Sequence, residues 1–374
     1  MKFNISKSLL INVLNEVSHG LSSKTPMPVL TGIKIDAFQD SLTFTTTNRE
    51  ISVQVKINKN NEFEIEDEGK CVVPGKYFVE IAKKIEDSKI NFVLFEESTI
   101  KITTEKTDFT MVALDKEAFP LINFETIGNP ISINCNVLKK AIKQTNFASG
   151  VSEARVILTG VCFEIKSNEM NVIATDSYRL AKKTITLNQE YPHLKINIPN
   201  KALDELEKIL PDDETEAQIY IISNKALIKF GDISFITRLI EGAYPDTSSL
   251  FPKEHLTSLT FKKNDLLATV DRAALFTNLD SSNIIKVVIK SNKSIQIASN
   301  NNEIGRVIEE IIPLNVPEIN NFQTAFSAKY FIEALKSFDE SQIEVKFTGE
   351  IKPFVIYGNT DKSLVQLILP VRIF

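Results

Sequence analysis

The sequence predicts an α+β protein of three tandem homologous domains, each with two helices and antiparallel sheets. Three observations carry that reading: a helical motif that occurs three times, a closing dipeptide that recurs at the same period, and alternating strands between them. The chain has 374 residues, more than one compact domain usually holds. Its composition, 43% hydrophobic and 24% charged, suits a globular chain with a sizeable core.

The first helix of each domain follows a short strand. Phe3–Ile5 leads into Ser8–Leu14, Ile131–Ile133 into Val137–Ile142, and Leu259–Phe261 into Asp265–Val270, with apolar residues at helical spacing. The second helix repeats more sharply. Val73–Ile81, Ile198–Leu206 and Phe326–Leu335 share the pattern apolar, small or Pro, any, Lys, any, apolar, any, Glu. Its lysines, Lys76, Lys201 and Lys329, stand 125 and then 128 positions apart. The dipeptides Phe119-Pro120, Tyr244-Pro245 and Leu369-Pro370 recur every 125 residues. That period is too long for a solenoid and fits whole domains, which places them at residues 1–127, 128–252 and 253–374. Between the helices, Leu42–Thr47, Ile51–Ile57, Ile100–Thr103, Gln218–Ile222 and Ile343–Phe347 alternate with period two, as half-buried antiparallel strands do.

The formal net charge is −5, which on its face argues against nucleic acid. The charge is unevenly placed. The six helical segments hold 14 Lys and Arg against 8 Asp and Glu, so a surface built from them is basic within an acidic chain. Such a surface suits contact with phosphates rather than with base edges, although lysines on a helix are also common as plain solvated charges.

Little points to catalysis. His19, His193 and His255 are far apart and lack the spacing of a zinc site. No Walker A or GxGxxG sequence is present, and no GxSxG turn surrounds Ser177. The expectation is a non-enzyme with no cofactor and no metal. Cys71, Cys135 and Cys162 form no CxxC pair, which fits a reducing compartment. No signal peptide or membrane-length apolar run is visible, so a soluble cytoplasmic protein is expected.

Three stretches then carry a resemblance over the whole chain: the loop Ser23-Lys24-Thr25-Pro26-Met27-Pro28-Val29-Leu30, the segment Ala174-Thr175-Asp176-Ser177-Tyr178-Arg179-Leu180-Ala181, and the terminal Leu369-Pro370-Val371-Arg372. With the threefold repeat, they make the chain similar to the bacterial sliding clamp, the β subunit of DNA polymerase III. The resemblance implies three clamp domains per chain and a ring of two chains joined head to tail, whose helices face encircled duplex DNA. It implies a homodimer contact through Phe109 and Met111 on one side and Leu275 and Phe276 on the other. Lys24, Lys76, Lys139, Lys140, Lys143, Lys201 and Lys329 become the DNA-facing candidates.

The resemblance further implies a pocket for short peptides of the replicative polymerase, the clamp loader and other replication and repair proteins. Its matching positions are Leu158, Thr175, Ser177, Tyr178, Arg179, Leu180, Pro245, Leu250, Tyr330, Pro353, Leu367, Leu369, Pro370, Val371 and Arg372. An apolar floor with few polar groups suits a peptide anchor. Family members often carry Gly-His-Arg where this chain has Ser177-Tyr178-Arg179, so the bulkier Tyr178 bears on which peptides fit. Two other readings use the same features: a monomeric repeat protein that binds partners without encircling DNA, and a DNA-modifying enzyme. Solution mass separates the first from a ring, and activity assays on DNA with a divalent metal separate the second.

Overall fold

The computed structural model describes residues 1–22, 24–277, 283–290, 294–301 and 303–372; Ser23 of the proline-rich loop lies outside them. These residues form six α-helices: α1 (Lys7–Val17), α2 (Gly75–Lys84), α3 (Cys135–Thr145), α4 (Asn200–Ile209), α5 (Lys263–Ala274) and α6 (Ala328–Lys336). All six fall where the repeated motifs predict them. Among the described residues, no helix is long and apolar enough to cross a membrane.

The helices form for local reasons. Ser6 caps α1, its hydroxyl accepting the Leu9 N–H at 3.2 Å, and Leu10, Val13, Leu14 and Val17 then bury one stripe. Ser327 caps α6 in the same way through the Tyr330 N–H, and Ala328, Phe331, Ala334 and Leu335 form its buried face. In each case the motif's apolar positions are core.

The chain gathers into two compact units, residues 1–139 with 201–239, and residues 140–200 with 240–374. The first contains a five-stranded antiparallel sheet in the order Phe63–Asp67, Lys2–Ser6, Lys89–Phe95, Thr99–Thr103, Asp108–Val112. It also contains an eight-stranded sheet, in which Ile233–Arg238 of the second repeat pairs with Ile51–Asn58 of the first, Phe235 opposite Val53. Two sequence repeats therefore share one continuous sheet.

The second unit is built alike. Its six-stranded sheet runs Gly160–Thr175, Arg179–Pro199, Leu364–Ile368, Phe354–Gly358, Gln342–Phe347, Thr257–Lys262. Here Arg179–Pro199 of the second repeat pairs with Leu364–Ile368 of the third, Leu180 opposite Leu367. A four-stranded sheet follows the order Gly305–Ile311, Ile295–Asn301, Ile284–Ile289, Phe322–Ser327. Phe326, Phe331, Phe347 and Phe354 pack ring against ring in the core, Phe326 to Phe354 at 4.7 Å between centroids.

The six-stranded sheet carries an acid-sensitive cluster. Glu344 accepts from Lys362 Nζ at 2.8 Å and from Ser258 Oγ at 2.6 Å, with Lys346 Nζ at 3.3 Å. Burial alone would raise its carboxyl, but these donors and nearby ammonium groups outweigh it and hold it down to about 2. A carboxyl lowered on folding stabilises the fold fully above its unfolded value of 4.5, and that stability is lost as pH falls through about 2. Calorimetry from pH 4.5 to 2 is expected to show a falling unfolding temperature, with a shallower slope in Glu344→Gln.

Candidate functional site

The segment quoted from the sequence as Ala174–Ala181 folds into a tight hairpin in the second unit. Asp176 sets its turn: Oδ1 accepts the N–H groups of Tyr178 at 2.9 Å and Arg179 at 3.0 Å. That closure puts Ser177 in the left-handed region, φ 80°, a conformation suited to glycine. Thr175 locks the base: its hydroxyl donates to the Arg179 carbonyl at 2.5 Å, and its N–H donates to Tyr244 Oη at 3.0 Å. Tyr178 is left projecting, 63% exposed.

Beside this hairpin lies a cavity of about 520 Å³. Of the residues expected in a pocket, Leu158, Ser177, Tyr178, Arg179 and Tyr330 line it. Leu180 and Leu367 lie in a buried cluster with Leu158, Cys162, Ile173 and Tyr244, against which Leu369 packs. They are core side chains supporting the site. The terminal segment is tied in by backbone: Leu369 N–H donates to the Tyr178 carbonyl at 2.9 Å, and Val371 N–H to the Ala325 carbonyl at 2.7 Å. Leu250 and Pro245 are exposed, Pro353, Pro370 and Val371 half-buried, and Arg372 exposed; none of these lines the cavity.

Sequence reasoning missed one wall. Ser149, Gly150, Val151, Ser152, Ala154 and Arg155 line it, and Arg155 Nη1 donates to Ser177 Oγ at 3.1 Å. Lys329, expected to face DNA, stands on this cavity next to Tyr330. The site's electrostatics centre on Arg179, whose guanidinium is held by Asp176, Glu333 and the Phe147 carbonyl and lies 4.4 Å from the Tyr330 ring centroid. Burial, with Asp176 nearby, pushes the Tyr330 phenol above its ordinary value. Cys162 beneath the site is inert as a nucleophile, its thiol pushed up by burial to about 12. Among the described residues no His, Cys, Asp and Glu side chains gather as a metal site.

Comparison with known proteins settles the family. Models of the DNA polymerase III beta subunit match in succession: its N-terminal domain at residues 1–123, its central domain at 132–246 and its C-terminal domain at 248–372. The chain belongs to the DNA polymerase III beta subunit family. The beta sliding clamp of Staphylococcus epidermidis is 38% identical and that of Staphylococcus aureus 37%, each covering 100% of both chains. The crystal structure of the DNA polymerase sliding clamp from Bacillus subtilis superimposes with a TM-score of 0.95 at 36% identity, again over 100% of each chain. Members of this family are processivity factors rather than catalysts.

The other residues expected of a beta subunit are placed as follows. Lys24 is exposed in its loop, and Lys76, Lys143 and Lys201 are exposed on α2, α3 and α4. Lys140 is exposed and pairs with Asp339 at 2.6 Å. Lys139 is half-buried and donates to the Leu210 carbonyl and to Asp212, both at 2.9 Å, so its charge is already engaged. Phe109 and Met111 are half-buried on Asp108–Val112, an outer strand of the five-stranded sheet. Leu275 follows α5 and is 73% exposed; Phe276 beside it is half-buried. Gly305–Ile311, an outer strand of the four-stranded sheet, exposes Ile308.

Proposed function

We propose that this chain is a DNA sliding clamp: a non-catalytic ring that encircles duplex DNA and tethers the replicative polymerase for processive synthesis. The observation that carries the reading is the succession of three beta-subunit domains at residues 1–123, 132–246 and 248–372. The domains run over residues 1–127, 128–252 and 253–374.

Two chains close the ring head to tail. Asp108–Val112 and Gly305–Ile311 are outer strands of their sheets and carry apolar side chains, a surface that suits a partner strand. The edge Asp108–Val112, with Phe109 and Met111, meets the edge near Leu275, Phe276 and Ile308 of a second copy. Because the two surfaces differ, the contact is heterologous, and rotation closes it after two chains.

Held by topology, the ring needs only weak, sequence-independent contacts with phosphates, which allow sliding. Lys24, Lys76, Lys143, Lys201 and Lys329 supply them on this reading, with Lys140 and Lys139 reaching DNA only by giving up their carboxylates. Partners dock by a short peptide in the cavity beside Tyr178 and Tyr330, against Leu158 and backed by the buried Leu180 and Leu367, with the segment Leu369–Arg372 at its margin. The polymerase, the clamp loader and repair proteins share that cleft. A replication ring of this kind works where bacterial DNA is, in the cytoplasm.

The test is solution mass by size-exclusion chromatography with light scattering. The chain weighs 42.0 kDa, so a closed pair reads twice that, about 84 kDa. A stable 42.0-kDa species at micromolar concentration would remove the ring.

A further inference from the structure

We propose that Glu333 is a positioning residue for partner binding, fixing Arg179 and through it the aromatic wall of the peptide cleft. The inference rests on the peptide-cleft reading above. Glu333 lies on α6 one turn beyond Tyr330 and does not line the cavity. Any effect it has on a bound peptide therefore passes through another side chain.

That side chain is Arg179. It is only 8% exposed, and a guanidinium removed from water needs partners for its donors. It has them on three sides. Nε donates to Asp176 Oδ2 at 3.0 Å, Nη2 donates to the Phe147 carbonyl at 2.6 Å, and Nη1 donates to Glu333 Oε2. Its cation lies over two rings, 4.4 Å from the Tyr330 centroid and 5.3 Å from that of Phe147. Asp176 belongs to the same hairpin as Arg179, and Phe147 to the turn after α3. Glu333 is the ion-pair partner that α6 supplies, and α6 is the helix that carries Tyr330. The hairpin brings Tyr178 to the cleft and α6 brings Tyr330, so the Arg179–Glu333 pair sets the spacing of those two walls.

The repeat supports the assignment. The core accounts for the motif's apolar positions, Phe326 and Phe331, but not for its glutamate. At the same motif position in α4, Glu205 is hydrogen-bonded to His19 Nδ1 at 2.6 Å. Twice, then, this helix position holds a nitrogenous side chain from elsewhere in its own unit.

The test uses the full chain and a fluorescein-labelled peptide copying the C-terminal tail of the replicative polymerase from the same organism. Fluorescence anisotropy compares the wild type with Glu333→Gln and Glu333→Asp, and melting temperature is recorded for each. Glu333→Gln is expected to weaken binding about tenfold or more, and the charge-retaining Glu333→Asp to stay within about threefold of wild type. Melting should change little in either. Unchanged binding by Glu333→Gln, beside a wild type that binds, would overturn the role of Glu333 alone. Equal losses in both variants with lowered melting would also overturn it, since that is plain structural damage. No saturable binding by the wild type would instead overturn the peptide-cleft reading, and the proposal with it.

Discussion

Leu275→Asp is expected to turn the assembled ring into single chains of 42.0 kDa. Leu275 is 73% exposed in the protomer and adds little to its core, so the fold should survive the change. On the proposed contact, however, the leucine sits among apolar side chains of a second copy. A carboxylate there must lose its water without gaining a partner, which costs about 2–7 kcal/mol for a polar group and more for a charged one. The contact occurs twice in a two-chain ring, so the penalty is doubled. Light scattering reads the result directly, and circular dichroism checks that the fold is intact. A Leu275→Asp protein that still weighs about 84 kDa would exclude this residue from the contact.

Arg179→Met is expected to damage both stability and peptide binding. Methionine keeps much of the side chain's length but removes the cation between Asp176 and Glu333. Those carboxylates then face each other, and the Phe147 carbonyl loses its donor. Breaking a buried ion pair by removing one partner costs about 3–5 kcal/mol, and Glu333 is exposed enough to keep the cost near 3. Tyr330 loses its stacking partner as well, so affinity for a polymerase-tail peptide should fall at least about tenfold. Calorimetry and anisotropy measure the two effects separately. Wild-type binding by a destabilised Arg179→Met would show that the guanidinium is structural only.

Much of the fold could be read from the sequence because its signals are local. Helical spacing around Leu10, Val13 and Leu14, or Phe331 and Leu335, needs only neighbouring residues, and α2, α4 and α6 share one motif. The joining of repeats could not be read. Phe235 opposite Val53 and Leu180 opposite Leu367 are pairings between distant strands, and alternation does not say which strand is the neighbour. Depth was also hidden: Leu180 and Leu367 belong to the site's buried support, while Tyr178 reaches its surface. The wall from Ser149 to Arg155 carries no periodic pattern to mark it. A count of helical lysines could not reveal that Lys139 turns back to Asp212, or that Lys329 stands beside Tyr330 on the cavity. The Asp176 turn left a trace in sequence, an Asx residue just before the next strand, and it is the feature that aims Tyr178 and Arg179.

A ring that encircles DNA is freed when the DNA is given ends. Labelled protein is loaded onto a nicked circular plasmid by the clamp loader of the same organism with ATP. The complex is separated from free protein by gel filtration, and the plasmid is then cut once with a restriction enzyme. A closed ring stays with the circle and slides off the open ends, so cutting should release nearly all the label. Equal retention on cut and uncut DNA would mean the protein grips DNA by contact, which would contradict a ring held by topology.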